Sequence, residues 1–300
     1  MDAVFRLGVK ETLRFLRIAG SLRHDRADLV YDVLGEKHLW SERTRYLNLG
    51  YWRDAGGIDE ASTHLAHLVG ERAALTPEDR VFDAGFGFGD QDIYWMRTFR
   101  PRHIDGVNVS AHQVQRGRQL VEEAGLSDEI TFWLADAAKA PFPDGCFDKI
   151  IALESAFHFR SREKFFAVAH RLLRPGGTLV LADFVVRSRR ATNFRTFLGM
   201  QLGSLAWQIP ACNLQPIDSY LAQLQTHGFG NILASDITSD VIAPFTRYID
   251  SRLQQRHLTN EYHPLFQWSA KLQLKLGFLE CLRYYIVSAE KHNSIGANHN

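Results

Sequence analysis

Val81-Phe82-Asp83-Ala84-Gly85-Phe86-Gly87-Phe88-Gly89-Asp90 is the run on which the reading of this chain turns. A short strand-like stretch ends in three glycines at alternate positions. Glycine takes backbone conformations closed to other residues, so such a run makes a tight turn with its main chain open to a ligand. Amides at the start of a following helix then face a polar or anionic group. A nicotinamide-binding fingerprint needs the spacing G-x-G-x-x-G. Here the third glycine comes one position early, and Asp90 stands where it would be needed. A carboxylate suits a pyrophosphate poorly, so the spacing favours a ligand without phosphates and tells against a dehydrogenase.

Outward from this loop, short apolar runs alternate with helical patterns. Strands are predicted at Val81–Ala84, His103–Val109, Ile130–Leu134, Phe147–Leu153 and Thr178–Phe184, with a helix from about Ala111 to Ala124. Strands spaced by helices predict βαβ units, a buried parallel sheet and a doubly wound α/β fold. After Phe184 the texture loosens. Arg187 to about Gln215 reads as a helical insertion, a lid placed after the fifth strand, and Ile217–Thr226 as a returning helix. Ile232–Ile237 and Leu282–Ala289 supply two closing strands around a long helical excursion.

Residues 1–75 read as helical, with Val4, Leu7, Leu13, Leu16 and Ile18 on a ragged helical period between Arg6, Lys10, Arg14 and Arg17. Such a start either lies on a membrane surface, packs over the domain or makes a contact between copies in a homo-oligomer. The expected organisation is a helical segment with an aromatic covering loop over 1–75, a ligand-binding core over 76–185, and a helical lid with closing strands over 186–300.

The 300 residues can bury a sizeable core, and 45% hydrophobic against 23% charged residues is globular rather than disordered. Lys plus Arg total 35 against 34 Asp plus Glu, which excludes the basic excess of a nucleic-acid binder. Cys146, Cys212 and Cys281 lie far apart and form no metal-ligand spacing. Three sparse thiols, no secretion-signal pattern and no run near the roughly 18 apolar residues of a membrane span predict a cytoplasmic protein. A nucleophile elbow, a zinc-binding H-E-x-x-H helix and a Walker loop are absent from the sequence, and Thr63, His64 and His67 pair with nothing as a metal site.

Further motifs follow the glycine loop in order. Asp136 follows the third strand in Leu134-Ala135-Asp136-Ala137-Ala138, and Pro141-Phe142-Pro143-Asp144-Gly145-Cys146-Phe147-Asp148 leads into the fourth. Leu172-Leu173-Arg174-Pro175-Gly176-Gly177-Thr178 turns from a helix end into the fifth strand. Together these resemble the class I S-adenosylmethionine-dependent methyltransferases, clearly over about residues 45–185 and loosely beyond. The resemblance implies seven strands with the last antiparallel. It places Asp83, Gly85, Gly87 and Gly89 around the methionine part of S-adenosylmethionine, and Asp136 and Ala137 at the adenine. Where the family commonly holds the ribose with an acidic residue, this chain has Asn108, with Gln113 soon after. An amide both donates and accepts hydrogen bonds but carries no charge. Tyr46-Leu47-Asn48-Leu49-Gly50-Tyr51-Trp52 resembles the aromatic loop of the branch with sterol and macrolide methyltransferases and cyclopropane synthases. That likeness makes Tyr51 and Trp52 candidate cofactor contacts, by cation–π attraction or by plain aromatic packing.

Methyl transfer requires an aligned nucleophile, exclusion of water and, where necessary, removal of a proton. The natural place is the carboxyl end of the fourth strand, where Glu154 and His158 form the close acid–base pair of Leu153-Glu154-Ser155-Ala156-Phe157-His158-Phe159. His158 suits a base for a hydroxyl, and Glu154 a stabiliser of cationic charge during alkene methylation. Phe194, Phe197, Leu198, Met200, Leu202, Leu205, Trp207 and Ile209 give the expected lid an apolar stripe. Phe159, Arg195 and Trp207 are the substrate-contact candidates. Arg187, Arg189, Arg190 and Arg195 are either a solvated face or a site for a carboxylate or diphosphate. The resulting expectation is methylation of a lipophilic small molecule at oxygen, with carbon methylation, cyclopropanation or cofactor binding without catalysis as alternatives.

Overall fold

Alternate residues of the central strands divide between two cores. In the computed structural model, which describes residues 40–187, 194–255 and 264–292, β1 (Arg80–Ala84) sends Val81 to one core and Phe82 to the other. β4 (Phe147–Leu153) divides Ile151 and Ile150 in the same way, and β5 (Leu173–Val186) divides Val180 and Leu181. Side chains on a strand alternate faces, so a strand covered on both sides must be apolar along its whole length. One face carries α1 (Ile58–Arg72), α2 (Asp90–Thr98), α3 (Ala111–Glu123) and α7 (Thr238–Gln254); the other carries α4 (Arg162–Leu172) and α6 (Ile217–Thr226). α5 (Phe194–Ala206) follows β5 and packs against α8 (Pro264–Leu276).

With β2 (His103–Asn108), β3 (Ile130–Leu134), β6 (Phe229–Asp236) and β7 (Leu282–Lys291), the sheet order is β3-β2-β1-β4-β5-β7-β6. β7 pairs antiparallel with β5 and β6, whereas the other pairings are parallel. The chain leaves β1 for β2 and β3 on one side, then returns to β4 on the other. Neighbouring loops therefore part at the carboxyl ends of β1 and β4, the switch point where open α/β sheets bind ligands.

Packing explains several glycines that the loop reading could not separate. Phe132 on β3 stacks on Phe86 with ring centroids 3.8 Å apart. A Cβ at Gly89 would stand 2.6 Å from the Phe132 ring, one at Gly106 2.7 Å and one at Gly117 3.0 Å. Beneath the other face, Arg162 Nε meets Asp183 at 2.9 Å, and Tyr220 Oη donates to the same carboxylate at 3.3 Å. Arg162 also donates to the carbonyls of Asn213 and Phe184. Buried charges persist only when paired and hydrogen-bonded in this way.

The expected elements from β1 onward are present with small shifts of their ends. β5 starts at Leu173 instead of Thr178, with an irregular pairing between Phe147 and Lys149, and β6 starts at Phe229 instead of Ile232. The helical expectation for residues 1–75 fails between 40 and 57, which run as bends, a turn and irregular chain. Here main-chain amides bind distant side chains: Thr44 donates to Asp59 at 2.9 Å, Arg45 to Asp90 at 3.0 Å and Leu49 to Glu154 at 2.8 Å. Val4 to Ile18, Arg189 and Arg190 lie outside the described residues. Among the described residues, no helix is long and apolar enough to cross a membrane.

Candidate active site

At the switch point a cavity of about 390 Å³ opens between the glycine loop, the ends of β2, β3 and β4, and the irregular segment that precedes α1. Gly85 and Gly87 form its floor, both at positive φ, +99° and +60°. A Cβ at Gly85 would lie 2.5 Å from that of Ser155, so the close approach of loop and strand end admits only glycine. Gly89 and Asp83 stand behind this floor. Gly89 begins α2 against Phe132, and Asp83 is fully buried and accepts from Gln91 Nε2 at 3.0 Å. Gln91 in turn lines the cavity. Burial raises the proton affinity of Asp83 and of its neighbour Asp92, and the Asp83 charge raises that of Asp92 further.

Asn108, at the end of β2, has its amide engaged by protein. Its Nδ2 donates to Gly87 O at 3.2 Å and Gln113 Oε1 at 2.9 Å, and its Oδ1 accepts from Ser110 N at 3.0 Å. Gln113 Nε2 is then left buried without a hydrogen-bond partner among the described residues, in a side chain that lines the cavity. A buried donor without a partner costs about 1–3 kcal/mol, so its place at a cavity wall points to a ligand acceptor. Asp136 accepts from Ala138 N at 2.9 Å and, with Ala137, closes the opposite wall.

Glu154 follows β4 directly at φ +48°, in the left-handed region that disfavours non-glycine residues. Leu49 N and Tyr284 Oη both donate to its Oε1 at 2.8 Å. Burial pushes the carboxyl up to about 8, against the pull of these two donors. The half-buried His158 ring lies 4.1 Å from Phe157, centroid to centroid, and desolvation pushes it down to about 3. Both residues line the cavity, as does Phe159.

The remaining expected contacts stand elsewhere. Trp52 Nε1 donates to Leu49 O at 2.8 Å and its ring meets Tyr248 at 5.2 Å, while Tyr51 lies under the Arg53 guanidinium. The same segment gives the cavity Arg45, Leu47 and Asn48 in their place. Trp207 packs among Phe157, Phe184 and Phe278 and donates to Gln273 Oε1 at 2.8 Å. Arg195 pairs with Glu280 at 2.7 Å, and Arg187 donates to the carbonyl of that residue. Phe194 and Phe197 of the expected apolar stripe are 80% and 53% exposed and are not among the residues that line the cavity.

Residues 82–181 match a family described as a methyltransferase domain. The chain is 31% identical over 275 residues to erythromycin 3''-O-methyltransferase of Saccharopolyspora erythraea, a match spanning 89% of this chain and 90% of that one. The chain belongs to the S-adenosylmethionine-dependent methyltransferases. Among solved structures, the cyclase SpnF superposes on this methyltransferase with a TM-score of 0.73 at 23% identity, over 90% of this chain and 96% of that one. The cyclopropane synthase MmaA2 of Mycobacterium tuberculosis gives 0.70 at 18% identity, over 89% and 97%.

The cavity of this methyltransferase fits its cofactor on two counts. The glycine floor lets main chain approach a ligand, and Gln113, a cavity-lining side chain, offers an unused donor at Nε2. Gln113→Ala is expected to weaken S-adenosylhomocysteine binding about tenfold, the worth of roughly one buried hydrogen bond. Calorimetry checks this, and unchanged affinity would remove the residue from the cofactor site. Glu154 also leaves a mark on stability. The folded chain holds its proton to about pH 8, whereas an ordinary carboxyl releases it near 4.5. Its contribution is therefore complete below about 4.5 and is lost as pH rises through about 8. Glu154→Gln is expected to lose less melting temperature than the parent between about pH 6 and pH 9. Equal losses would refute the buried proton.

Proposed function

We propose that this methyltransferase methylates a hydroxyl oxygen of a lipophilic small molecule, with His158 taking the proton. The observation that carries this reading is a single cavity joining Gly85, Gly87, Gln113 and Asp136 to Glu154, His158 and Phe159. S-adenosylmethionine, when bound, supplies an activated methyl group. Gly85, Gly87, Gln113, Asp136 and Ala137 hold it directly. Asn108 acts by orienting Gln113, Asp83 by orienting Gln91, and Tyr51 and Trp52 by packing behind the segment that supplies Leu47 and Asn48. Residues 76–185 form the cofactor-binding core.

His158 is uncharged throughout the neutral range because desolvation opposes its protonation. An alcohol oxygen that has gained a methyl group is strongly acidic, so a weakly basic ring is sufficient to receive its proton. The same environment argues for oxygen over carbon. A carbocation formed by alkene methylation needs a nearby negative charge, and Glu154 keeps its proton below about pH 8. The 3''-oxygen named for the Saccharopolyspora relative supports an alcohol acceptor, and Leu47, Phe88, Leu153 and Phe159 suit an apolar one. We place the protein in the cytoplasm, where Cys146, Cys212 and Cys281 stay as free thiols.

The test pairs each lipophilic alcohol with its methyl ether, and S-adenosylhomocysteine release is followed by liquid chromatography. Release with alcohols alone supports oxygen transfer. Equal release with an alkene that lacks hydroxyls would favour carbon methylation instead.

A further inference from the structure

One side chain grips the main chain on both sides of His158. Asn213, 3% exposed, donates from Nδ2 to the carbonyls of Phe157 at 3.1 Å and Phe159 at 2.6 Å. Its Oδ1 accepts from Arg162 N at 2.9 Å, so the donors and the acceptor of the amide are all in use. Its own carbonyl accepts from Arg162 Nη1 at 2.8 Å, and Arg162 is fixed in turn by Asp183 and by the Tyr220 ring. Asn213 ends the short turn Ala211–Asn213 between α5 and α6. The same connection supplies Cys212 Sγ to Arg160 O at 3.3 Å, and the main-chain carbonyls of Trp207 and Gln208 to the His158 imidazole. The segment 207–213 thus encloses the segment 157–160 from outside the cavity.

The loop that carries His158 has little structure of its own. Ala156–His158 is a single 3-10 turn with two local bonds, His158 N to Ser155 O and Phe159 N to Ala156 O. Such turns are short and poorly bonded, so their geometry is set by what surrounds them. The carbonyls of Phe157 and Phe159 need donors in this buried setting, and Asn213 provides both.

We propose that Asn213 is a positioning residue for methyl transfer, clamping the backbone on either side of His158 so that the imidazole stands at a fixed place in the cavity. The proposal rests on the reading of His158 as the residue facing the acceptor. Asn213 is not among the residues that line the cavity, and its side-chain amide is bonded to Phe157, Phe159 and Arg162. Its effect therefore belongs to kcat and leaves cofactor affinity alone. A misplacement of about 1 Å costs on the order of 100-fold in rate, which sets the scale for losing the clamp.

The experiment compares Asn213→Asp and Asn213→Ala with the parent. Aspartate keeps the size and the acceptor for Arg162 N, but turns an oxygen toward the two carbonyls where the amide turns N–H. Both variants are expected to bind S-adenosylhomocysteine within about twofold of the parent. On an alcohol that the parent methylates, kcat should fall about 10- to 100-fold with a smaller change in KM. A second readout needs no acceptor. The imidazole proton resonance of His158, assigned by its loss in His158→Ala, is followed against pH in the chain loaded with S-adenosylhomocysteine. The parent ring should not titrate above about pH 5, whereas the Asn213→Asp ring, released from its setting, should titrate closer to neutrality. Parental kcat with an unmoved titration would overturn the proposal. Should the hydroxyl-acceptor reading itself fail, the titration still decides the role of Asn213. If neither variant folds, Asn213→Ser, which keeps one donor, is expected to shift the titration by a smaller amount, and no shift overturns the clamp.

Discussion

Gly87→Arg should abolish S-adenosylhomocysteine binding while the chain still folds. Gly87 sits at φ +60°, where an L-residue costs about 1–2 kcal/mol, a strain that a domain of this size tolerates. Its nearest obstacle is the tip of Leu47, 3.3 Å from where a Cβ would stand, and a side-chain tip can yield. The long side chain then occupies the cavity floor on which the ligand would lie. The expected loss of affinity is at least about 100-fold, or roughly 2.7 kcal/mol. Calorimetry gives the affinity, and a melting curve shows that the fold survives. Gly89, two residues on, makes the contrast: a Cβ there meets the Phe132 ring at 2.6 Å, so its substitution strikes packing before binding. Retained micromolar affinity in Gly87→Arg would mean that the cofactor does not lie on this floor.

The second large effect is on turnover. His158→Ala should reduce kcat on an alcohol acceptor by about 100-fold or more, the usual worth of a positioned base, with cofactor affinity nearly unchanged. The wild-type rate carries a related signature. Because the ring is pushed down to about 3, no acid limb from its protonation appears near pH 6.5, and kcat stays flat on that account from about pH 8 down to pH 5. In stability the sign is opposite to that of Glu154. A lowered histidine pKa contributes above about 6.5, and that contribution is lost as pH falls through about 3. Unchanged turnover in His158→Ala would remove this residue from the chemistry.

Elements bounded by their own local signals were legible in the sequence. β3 at Ile130–Leu134, β4 at Phe147–Leu153 and α6 at Ile217–Thr226 lie where period and turn residues place them. The motif order was equally local, since each motif sits at the end of one strand. What escaped depends on pairing across the chain. Tyr284 reaches Glu154 only because β7 inserts between β5 and β6, and Leu49 binds the same carboxylate from 105 residues away. The irregular course of residues 40–57 is fixed by Asp59, Asp90 and Glu154, and no periodicity within the segment announces such partners. The three glycines of the loop look alike in sequence, yet the Phe132 ring gives Gly89 a packing role that Gly85 and Gly87 do not share. Likewise, Tyr51 and Trp52 are conspicuous as aromatics, but the cavity takes their neighbours Leu47 and Asn48.

The most direct test of the hydroxyl-acceptor reading is the position of the transferred methyl group. The protein is incubated with S-adenosylmethionine carrying a carbon-13-labelled methyl and with a panel of lipophilic alcohols, and the product is read by carbon NMR. A single labelled resonance in the methoxy range, growing about 100-fold more slowly with His158→Ala, is the expected result. A labelled methyl bonded to carbon, or a product formed equally well by His158→Ala, would contradict it.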